Sequence, residues 1–360
     1  MKNTVHKTGI YIHIPFCKRT CYYCNFTKFK FKKEHEQKYV SALIKEISER
    51  NEKNQVADTV YFGGGSPALF SERSLGKIFE ILDKKFIIDK NSEVTIELNP
   101  EEGNLDKLRS LARSGFNRVS IGTQSFSEKD LQYLKRNHSA ADSLAAVENG
   151  LKAGFNNISM DYIIGLPTQD KMSIRNNFKI LKEMDIPHIS AYMLEGVKNF
   201  RNIEQPEDGH QVYLYNLTRD ILLNNGYEHY EVSNFCKNGE YSKHNLKYWN
   251  NISYAGFGVG ASGFENGIDY RNYSSLSDYF KHISDGRNPV MEKKRTDPET
   301  RRIITGMRLT RGIDVAAFNN YRSTLDTLLK EKILIRTGNK ISVNPLKITL
   351  LNEILLYFID

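Results

Sequence analysis

The sequence predicts an α/β fold: parallel strands joined by crossover helices, with a smaller C-terminal α+β domain. Three observations lead there. Over the first 230 residues short apolar runs alternate with longer helical patterns, the signature of βαβ units. Right-handed crossovers wind such units into a doubly wound sheet or a barrel, and in either case ligands gather at the C-terminal ends of the strands. Cysteines, glycines and isolated polar residues do stand at or just after the apolar runs. Beyond about residue 227 the pattern changes: 227–264 is rich in Tyr, Asn and Gly, and helical periodicity returns near 297. The chain is therefore divided into 1–230, a connecting region at 231–290, and a small helical, winged-helix-like domain at 291–360.

The elements follow in order. Residues 9–14 (GIYIHI) read as a strand and 33–50 as a helix. The strand at 59–62 runs into Gly63-Gly64-Gly65, and the helix at 71–86 has Ser71 as its N-cap. A strand at 93–98 precedes a helix from Leu105 that Gly115 ends, and 118–121 is the next strand. Residues 129–153 are helical in two pieces, and the strand at 158–164 stops at Gly165-Leu166-Pro167. A helix at 172–184, a strand at 188–193 and a helix at 211–225 complete the first part. Asp297 is a good N-cap with Pro298 in the first helical turn, and a hairpin is expected at 333–343.

With 39% hydrophobic and 26% charged residues the chain is neither disordered nor fibrous, and four cysteines in 360 residues exclude a disulfide scaffold. No stretch approaches the roughly 20 apolar residues that span a bilayer, and residues 1–10 lack an apolar signal region. A reducing, cytoplasmic location is expected. The net charge of +8 is spread along the chain apart from Lys28, Lys30, Lys32 and Lys33. It permits a peripheral membrane contact but selects no polyanion, and no nucleic-acid partner is expected.

Three cysteines, Cys17, Cys21 and Cys24, follow the first strand at once. Three thiolates on one short loop can converge on one metal centre. A structural zinc site closes with four protein ligands, and no fourth cysteine is near, although His13 could complete such a site. A [4Fe–4S] cluster held by three thiolates keeps one iron open for an exogenous ligand. Both readings stand on spacing alone. Gly63-Gly64-Gly65-Ser66-Pro67 lets the backbone approach a ligand closely and exposes N–H groups, or is a plain tight turn; no Gly-Lys-Ser/Thr follows to make it a Walker loop. Glu97, Gln124, Arg136 and Asp161 sit at or after later strands. A carboxylate buried in a strand needs a partner, so Glu97 and Asp161 suggest a polar site; exposed positions or simple ion pairs are the alternative. The G-x-G-x-x-G string at 258–263 has no βαβ unit around it and is not a dinucleotide site.

The C-x3-C-x2-C spacing, with the preceding YIHIPF at 11–16 and the following Phe26, resembles the signature of the radical S-adenosylmethionine (SAM) superfamily. The resemblance implies a partial (β/α)6 barrel whose [4Fe–4S] cluster chelates and cleaves SAM. The stretches Ile96-Glu97-Leu98-Asn99-Pro100, 118–126 and 161–167 look like the oxygen-independent coproporphyrinogen oxidase group of porphyrin biosynthesis, across nearly the whole chain. That likeness implies that Tyr11 packs at the cluster and that Gly64, Gly65, Ser66 and Phe26 belong to the SAM site. Gln124 and Asp161 would hold the ribose hydroxyls, Arg136 the SAM carboxylate, and Glu97 would line the same pocket. Tyr22 for proline, Asn25 for aspartate and Ser66 for threonine depart from the family pattern without touching a cluster thiolate.

The group has two branches, coproporphyrinogen III dehydrogenases and HemW-type heme chaperones. The dehydrogenases carry a fourth cysteine two residues after the third, where this chain has Phe26, and a longer arm than the 16 residues before Cys17. Lys243-His244-Asn245-Leu246-Lys247-Tyr248-Trp249 matches the HNxxYW motif of the chaperones and holds the one tryptophan. A neutral imidazole is a common axial ligand of heme iron, and flat apolar rings suit a porphyrin face; a structural loop role for His244 is the alternative. The chaperone branch implies heme, client hemoproteins such as respiratory enzymes, and a homodimer whose state, or whose heme transfer, the cluster and SAM control. Cys236, in the loop near His244, reads as a free thiol, with a second thiolate ligand as the alternative.

Overall fold

The first apolar run, TGIYIHI, forms β1 (Thr8–Ile14). Its alternation buries Ile10, Ile12 and Ile14 on one face completely and sets Tyr11 and His13 on the other. In the computed structural model, which describes residues 7–50, 55–194 and 207–359, five further strands follow where the alternation predicts them. They are β2 (Gln55–Gly64), β3 (Phe86–Leu98), β4 (Arg118–Gln124), β5 (Asn157–Ile164) and β6 (His188–Met193). The intervening helices are α1 (Lys33–Ser48), α2 (Glu72–Lys85), α3 (Leu105–Arg113), α4 (Glu128–Tyr133), α5 (Ala140–Lys152), α6 (Lys171–Met184) and α7 (Asp208–Asn224). The 129–153 stretch is indeed two helices, and Ser71 caps α2 by accepting from Ser74 N.

After α7 come β7 (Glu228–Glu231), β8 (Asn234–Cys236), α8 (Lys243–Trp249), β9 (Tyr254–Phe257), β10 (Ser262–Glu265), β11 (Ile268–Asn272), α9 (Leu276–Ser284), β12 (Val290–Lys294) and α10 (Pro298–Gly306). The chain forms two compact units. The first holds the described residues up to Met160 together with Ile252–Arg295; the second holds the described residues from Asp161 to Asn251 and from Thr296 onward. These divisions fall elsewhere than at residues 230 and 290.

In the first unit β1, β2, β3 and β4 are neighbours in parallel, with Tyr11 beside Tyr61 and Glu97 beside Ser120. Parallel strands need crossovers, and α1 to α3 supply them. The sheet is sealed by Val60, Phe62, Ile96, Val119 and Ile121, all fully buried. The aperiodic 252–295 segment does more than connect. Its β9 pairs in parallel with β1, Tyr11 opposite Gly256, and β10, β11 and β12 continue the sheet as antiparallel strands. Strands of four or five residues interrupted by glycine leave too short a run for period-2 alternation to be read. The segment is tied to α1 by Glu46, which is buried and accepts from Gly258 N at 2.8 Å, Asn272 Nδ2 at 2.7 Å and the Tyr279 hydroxyl at 2.7 Å.

In the second unit β6 pairs antiparallel with β8, and β8 with β7. Asp297 caps α10 through Thr300 N at 2.9 Å, with Pro298 at the first position. The expected hairpin is present: Leu334–Thr337 and Lys340–Val343 pair antiparallel, and Ile313–Asp314 adds a third strand. Ile303, Phe318, Leu328, Ile341 and Phe358 form its core. Among the described residues no helix is long and apolar enough to cross a membrane.

Gly256 on β9 faces β10 so closely that a Cβ would lie 1.9 Å from the Ser262 carbonyl oxygen. Gly256→Ala must push two paired strands apart, and urea denaturation should show a loss of about 2–3 kcal/mol.

Candidate functional site

The site is built on the ends of β1 and β2. Past Ile14 the two segments stay in contact: Gly65 N donates to Ile14 O at 2.8 Å and Ser66 N to Phe16 O at 2.8 Å. The approach leaves no room for side chains. A Cβ on Gly65 would lie 2.5 Å from Phe16 O, and one on Gly64, whose φ is +110°, 2.4 Å from the His13 ring. Only glycine fits either position. Phe16–Cys17 in turn pairs with Phe29–Lys30, with Phe29 N on Pro15 O at 2.7 Å and Phe31 N on Cys17 O at 2.8 Å. Cys17, Cys21 and Cys24 thus stand on a loop whose ends are pinned together, and all three are free and half-buried.

His13 supports that loop from below. Its Nε2 lies 3.0 Å from Thr27 O and its Nδ1 2.9 Å from the Tyr11 hydroxyl. A carbonyl only accepts, so Nε2 carries the hydrogen and Nδ1 accepts from Tyr11. Burial holds the imidazole neutral, with its pKa lowered to about 4. Both ring nitrogens are engaged within the protein, which withdraws His13 as the fourth zinc ligand that the sequence allowed.

Glu97 is half-buried on β3 and accepts from the Tyr61 hydroxyl at 2.8 Å and from Gly64 N at 2.9 Å. The polar partner expected of a strand carboxylate is therefore the glycine turn itself. The N–H groups of Gly64, Gly65 and Ser66 are all engaged inside the protein, not exposed as the glycine pattern suggested. What this turn can present to an ammonium group is carbonyl oxygen. The Ser66 hydroxyl is fully buried and donates to Glu102. Ser66 holds the turn in place; its side chain does not point to open space.

Arg136 ties the later strands to the cysteine loop. Its Nη1 donates to Cys21 Sγ at 3.5 Å and to the Tyr23 hydroxyl at 3.3 Å, and its Nη2 to Asn99 Oδ1 at 2.5 Å and Gly122 O at 3.0 Å. The turn bearing Arg136 is held to the same loop by Arg19 Nη1 on Asn137 Oδ1 at 2.9 Å and by Tyr22, whose hydroxyl donates to Tyr133 O. Arg136 Nε is buried without a hydrogen-bond partner. Gln124 ends β4 in the left-handed region at φ +64°, and its amide lies over Gly122, where a Cβ would meet Nε2 at 3.0 Å and Arg136 Nη2 at 3.5 Å. A shallow cleft opens against Cys21, with a basic rim of Lys18, Arg19, Lys135 and Arg136 relieved by Glu101. Phe26, on the same loop, is 67% exposed. Sequence reasoning missed Asn99, Tyr23, Glu101 and His138. Asn99 and Glu101 follow β3 and obey the same strand-end rule that found Gln124; Tyr23 and His138 flank chosen residues and carried no separate signal.

Among the described residues no three His, Cys, Asp or Glu side chains converge on one ion-sized point. A four-iron cluster binds each thiolate to a different iron, so its ligands stand apart. The Cys17 thiol is pushed up to about 12 by burial and by Cys24 and Cys21 beside it, and burial also raises Cys24. Crowded, half-buried thiols of this kind give up their protons when a cationic centre compensates them. The donor set fits a cluster held by three thiolates. The orphaned Arg136 Nε and the exposed ring of Phe26 fit a ligand with a carboxylate and a flat apolar group.

Two expected residues lie in the second unit. Asp161 is half-buried on β5. His244 is on α8, which Ser242 caps by accepting from Asn245 N; it is 1% exposed, with its ring edge-on to Tyr248 at 5.1 Å. Tyr248 meets Trp249 edge-on at 6.0 Å. Cys236 is fully buried on β8, and burial pushes its thiol up to about 12, as befits an inert core residue.

The radical SAM superfamily profile matches residues 11–198. A heme chaperone HemW of Lactococcus lactis is 33% identical over 93% of this chain and 90% of its own length. HemW of Bacillus subtilis is 32% identical over 88% of each. The chain belongs to the radical SAM superfamily and, within it, to the HemW family. Membership implies a [4Fe–4S] cluster and SAM. The solved structure of Escherichia coli coproporphyrinogen III oxidase, HemN, superposes with a TM-score of 0.86 over 98% of this chain and 90% of that one, at 22% identity. That likeness establishes the fold the sequence predicted.

Two outcomes test this site. Cys17→Ala should lose the iron–sulfur absorption and EPR signals of the protein reconstituted without oxygen, while keeping its thermal transition within a few degrees. His13 sets a pH dependence. Its folded pKa of about 4 lies below the ordinary imidazole value of 6.5, so the unfolded chain binds the extra proton, and stability present above pH 6.5 is lost as pH falls through 4. Between pH 7 and 4 the parent should lose about 3 kcal/mol more than His13→Gln in urea titrations. The difference cancels Glu231 and His229, which titrate in the same window.

Proposed function

We propose that this protein binds heme and delivers it to client hemoproteins, with the cluster and SAM controlling the transfer rather than driving turnover. What carries the reading is similarity at 30–33% identity to several HemW heme chaperones over most of the chain, joined to the HNxxYW motif at 244–249. Coproporphyrinogen III dehydrogenase, the alternative, resembles the chain in fold alone, and Phe26 stands where its fourth cysteine would be.

The residues then divide the work. Cys17, Cys21 and Cys24 would hold the cluster, which would supply an open iron for SAM and reducing power. Arg136 meets the SAM carboxylate, carbonyls of the Gly64–Gly65 turn meet its ammonium, Gln124 and Asp161 meet the ribose, and Phe26 covers the adenine. Tyr11, Glu97 and Ser66 keep the turn and the loop in register. His244 ligates the heme iron, with Tyr248 and Trp249 against the porphyrin. His244 is 1% exposed, so α8 or a ring covering it moves when heme enters. Clients such as respiratory enzymes, a cytoplasmic location, a homodimer and a peripheral membrane contact belong to the same reading.

The test uses protein reconstituted without oxygen and divided in two. One half is titrated with heme and followed at the Soret band; the other receives coproporphyrinogen III, SAM and reductant. Tight heme binding without vinyl formation is expected, and stoichiometric vinyl formation would overturn the reading. His244→Ala should weaken heme binding at least tenfold and shift the Soret maximum; unchanged binding removes His244 as the ligand.

A further inference from the structure

We propose that His138 is the positioning residue for Gln124, holding the turn after β4 in the shape through which Gln124 meets the SAM ribose. The inference rests on the reading of Gln124 as a ribose contact.

β4 ends in a three-residue turn. Ser125 N donates to Thr123 O at 2.8 Å, closing a ring around Gln124, whose φ is +64°. A turn of this sense is the strained form, and a residue other than glycine stays there only when its surroundings impose it. The outside support falls on the same carbonyl. His138 Nε2 lies 2.9 Å from Thr123 O and carries the hydrogen, because the carbonyl can only accept. Thr123 O thus takes two donors, and both fix the peptide plane that sends the chain into Gln124.

His138 is enclosed by the surrounding chain. It is 4% exposed, and its Nδ1 lies 3.7 Å from Glu101 Oε2, too far for a hydrogen bond. No hydrogen-bond partner reaches either of those two atoms. Glu101 belongs to the short helical turn Pro100–Glu102 directly after β3, so the imidazole bridges the turns that follow β3 and β4. A polar ring in this place is costly; an apolar side chain of equal volume would fill the space and leave Thr123 O with one donor. The turn it secures folds the Gln124 amide over Gly122 towards Arg136, 3.0 and 3.5 Å from where a Gly122 Cβ would stand. His138 reaches no ligand itself and sets the direction of a residue that does.

The experiment compares the parent, His138→Ala and His138→Gln after cluster reconstitution, reading the EPR spectrum of the reduced cluster while SAM or methionine is added. Methionine shares the amino and carboxylate groups of SAM but has no ribose. His138→Ala should weaken SAM binding at least tenfold and leave the methionine response unchanged, and His138→Gln, whose amide can still donate to Thr123 O, should restore most of the affinity. If His138→Ala does not fold, His138→Leu, which fills the space without a donor to Thr123 O, serves with the same expectations for SAM and methionine. SAM binding within twofold of the parent, or equal loss of SAM and methionine, overturns the proposal. A parent that responds to methionine but not to SAM overturns the ribose reading of Gln124 and this inference with it.

Discussion

The close passage of the glycine turn beneath the cysteine loop is the constraint on which the first unit depends. The β1–β2 ladder does not stop where the strands stop. It runs on through Gly65 N to Ile14 O and Ser66 N to Phe16 O, and only a backbone without side chains can follow the chain that closely. One consequence is geometric: Cys17 starts from a peptide that cannot move relative to the turn. The other is chemical. The turn's N–H groups are consumed in holding the loop and Glu97, so the same glycines that create the site also decide which atoms remain to meet a ligand.

Around that constraint the unit keeps a set of polar groups out of water, and each is made tolerable by specific partners. His13 stays neutral between Tyr11 and Thr27 O; Glu97 bridges Tyr61 and Gly64 N; Glu46 takes three donors from the 252–295 segment. Arg136 remains charged against burial because Tyr23 and Cys21 lie beside it. Removing any one partner leaves another group buried and unsatisfied, which costs about 1–3 kcal/mol. The site is thereby shaped before a cofactor arrives, as a cluster loop that must present three thiolates requires.

Much of this was legible beforehand. Six strands, the helices between them, the split helix at 129–153, the caps at Ser71 and Asp297 and the C-terminal hairpin all follow from local pattern, because periodicity and capping act over a few residues. The cysteine spacing and the strand-end positions of Glu97 and Gln124 were legible for the same reason. The role of 252–295 was not. Its strands are short, and their pairing with β1 joins residues more than 240 apart in the chain, an interaction with no local trace. Nor could spacing show that Ser66 turns inward to Glu102, that His13 uses both ring nitrogens, or that His244 is buried.

The sequence by itself determined the alternation of strand and helix, the presence of three thiols on one loop, the need for glycine after β2, and the resemblance to the radical SAM and HemW families that similarity to known proteins bears out. Those properties live in residue type and short-range order. Tertiary structure alone decided which donors and acceptors are already satisfied, that Arg136 reaches Cys21 and Asn99 at once, and that His138 supports the turn at Gln124. Hydrogen bonds are made between particular atoms brought within about 3 Å, and only the packing of distant segments sets those distances.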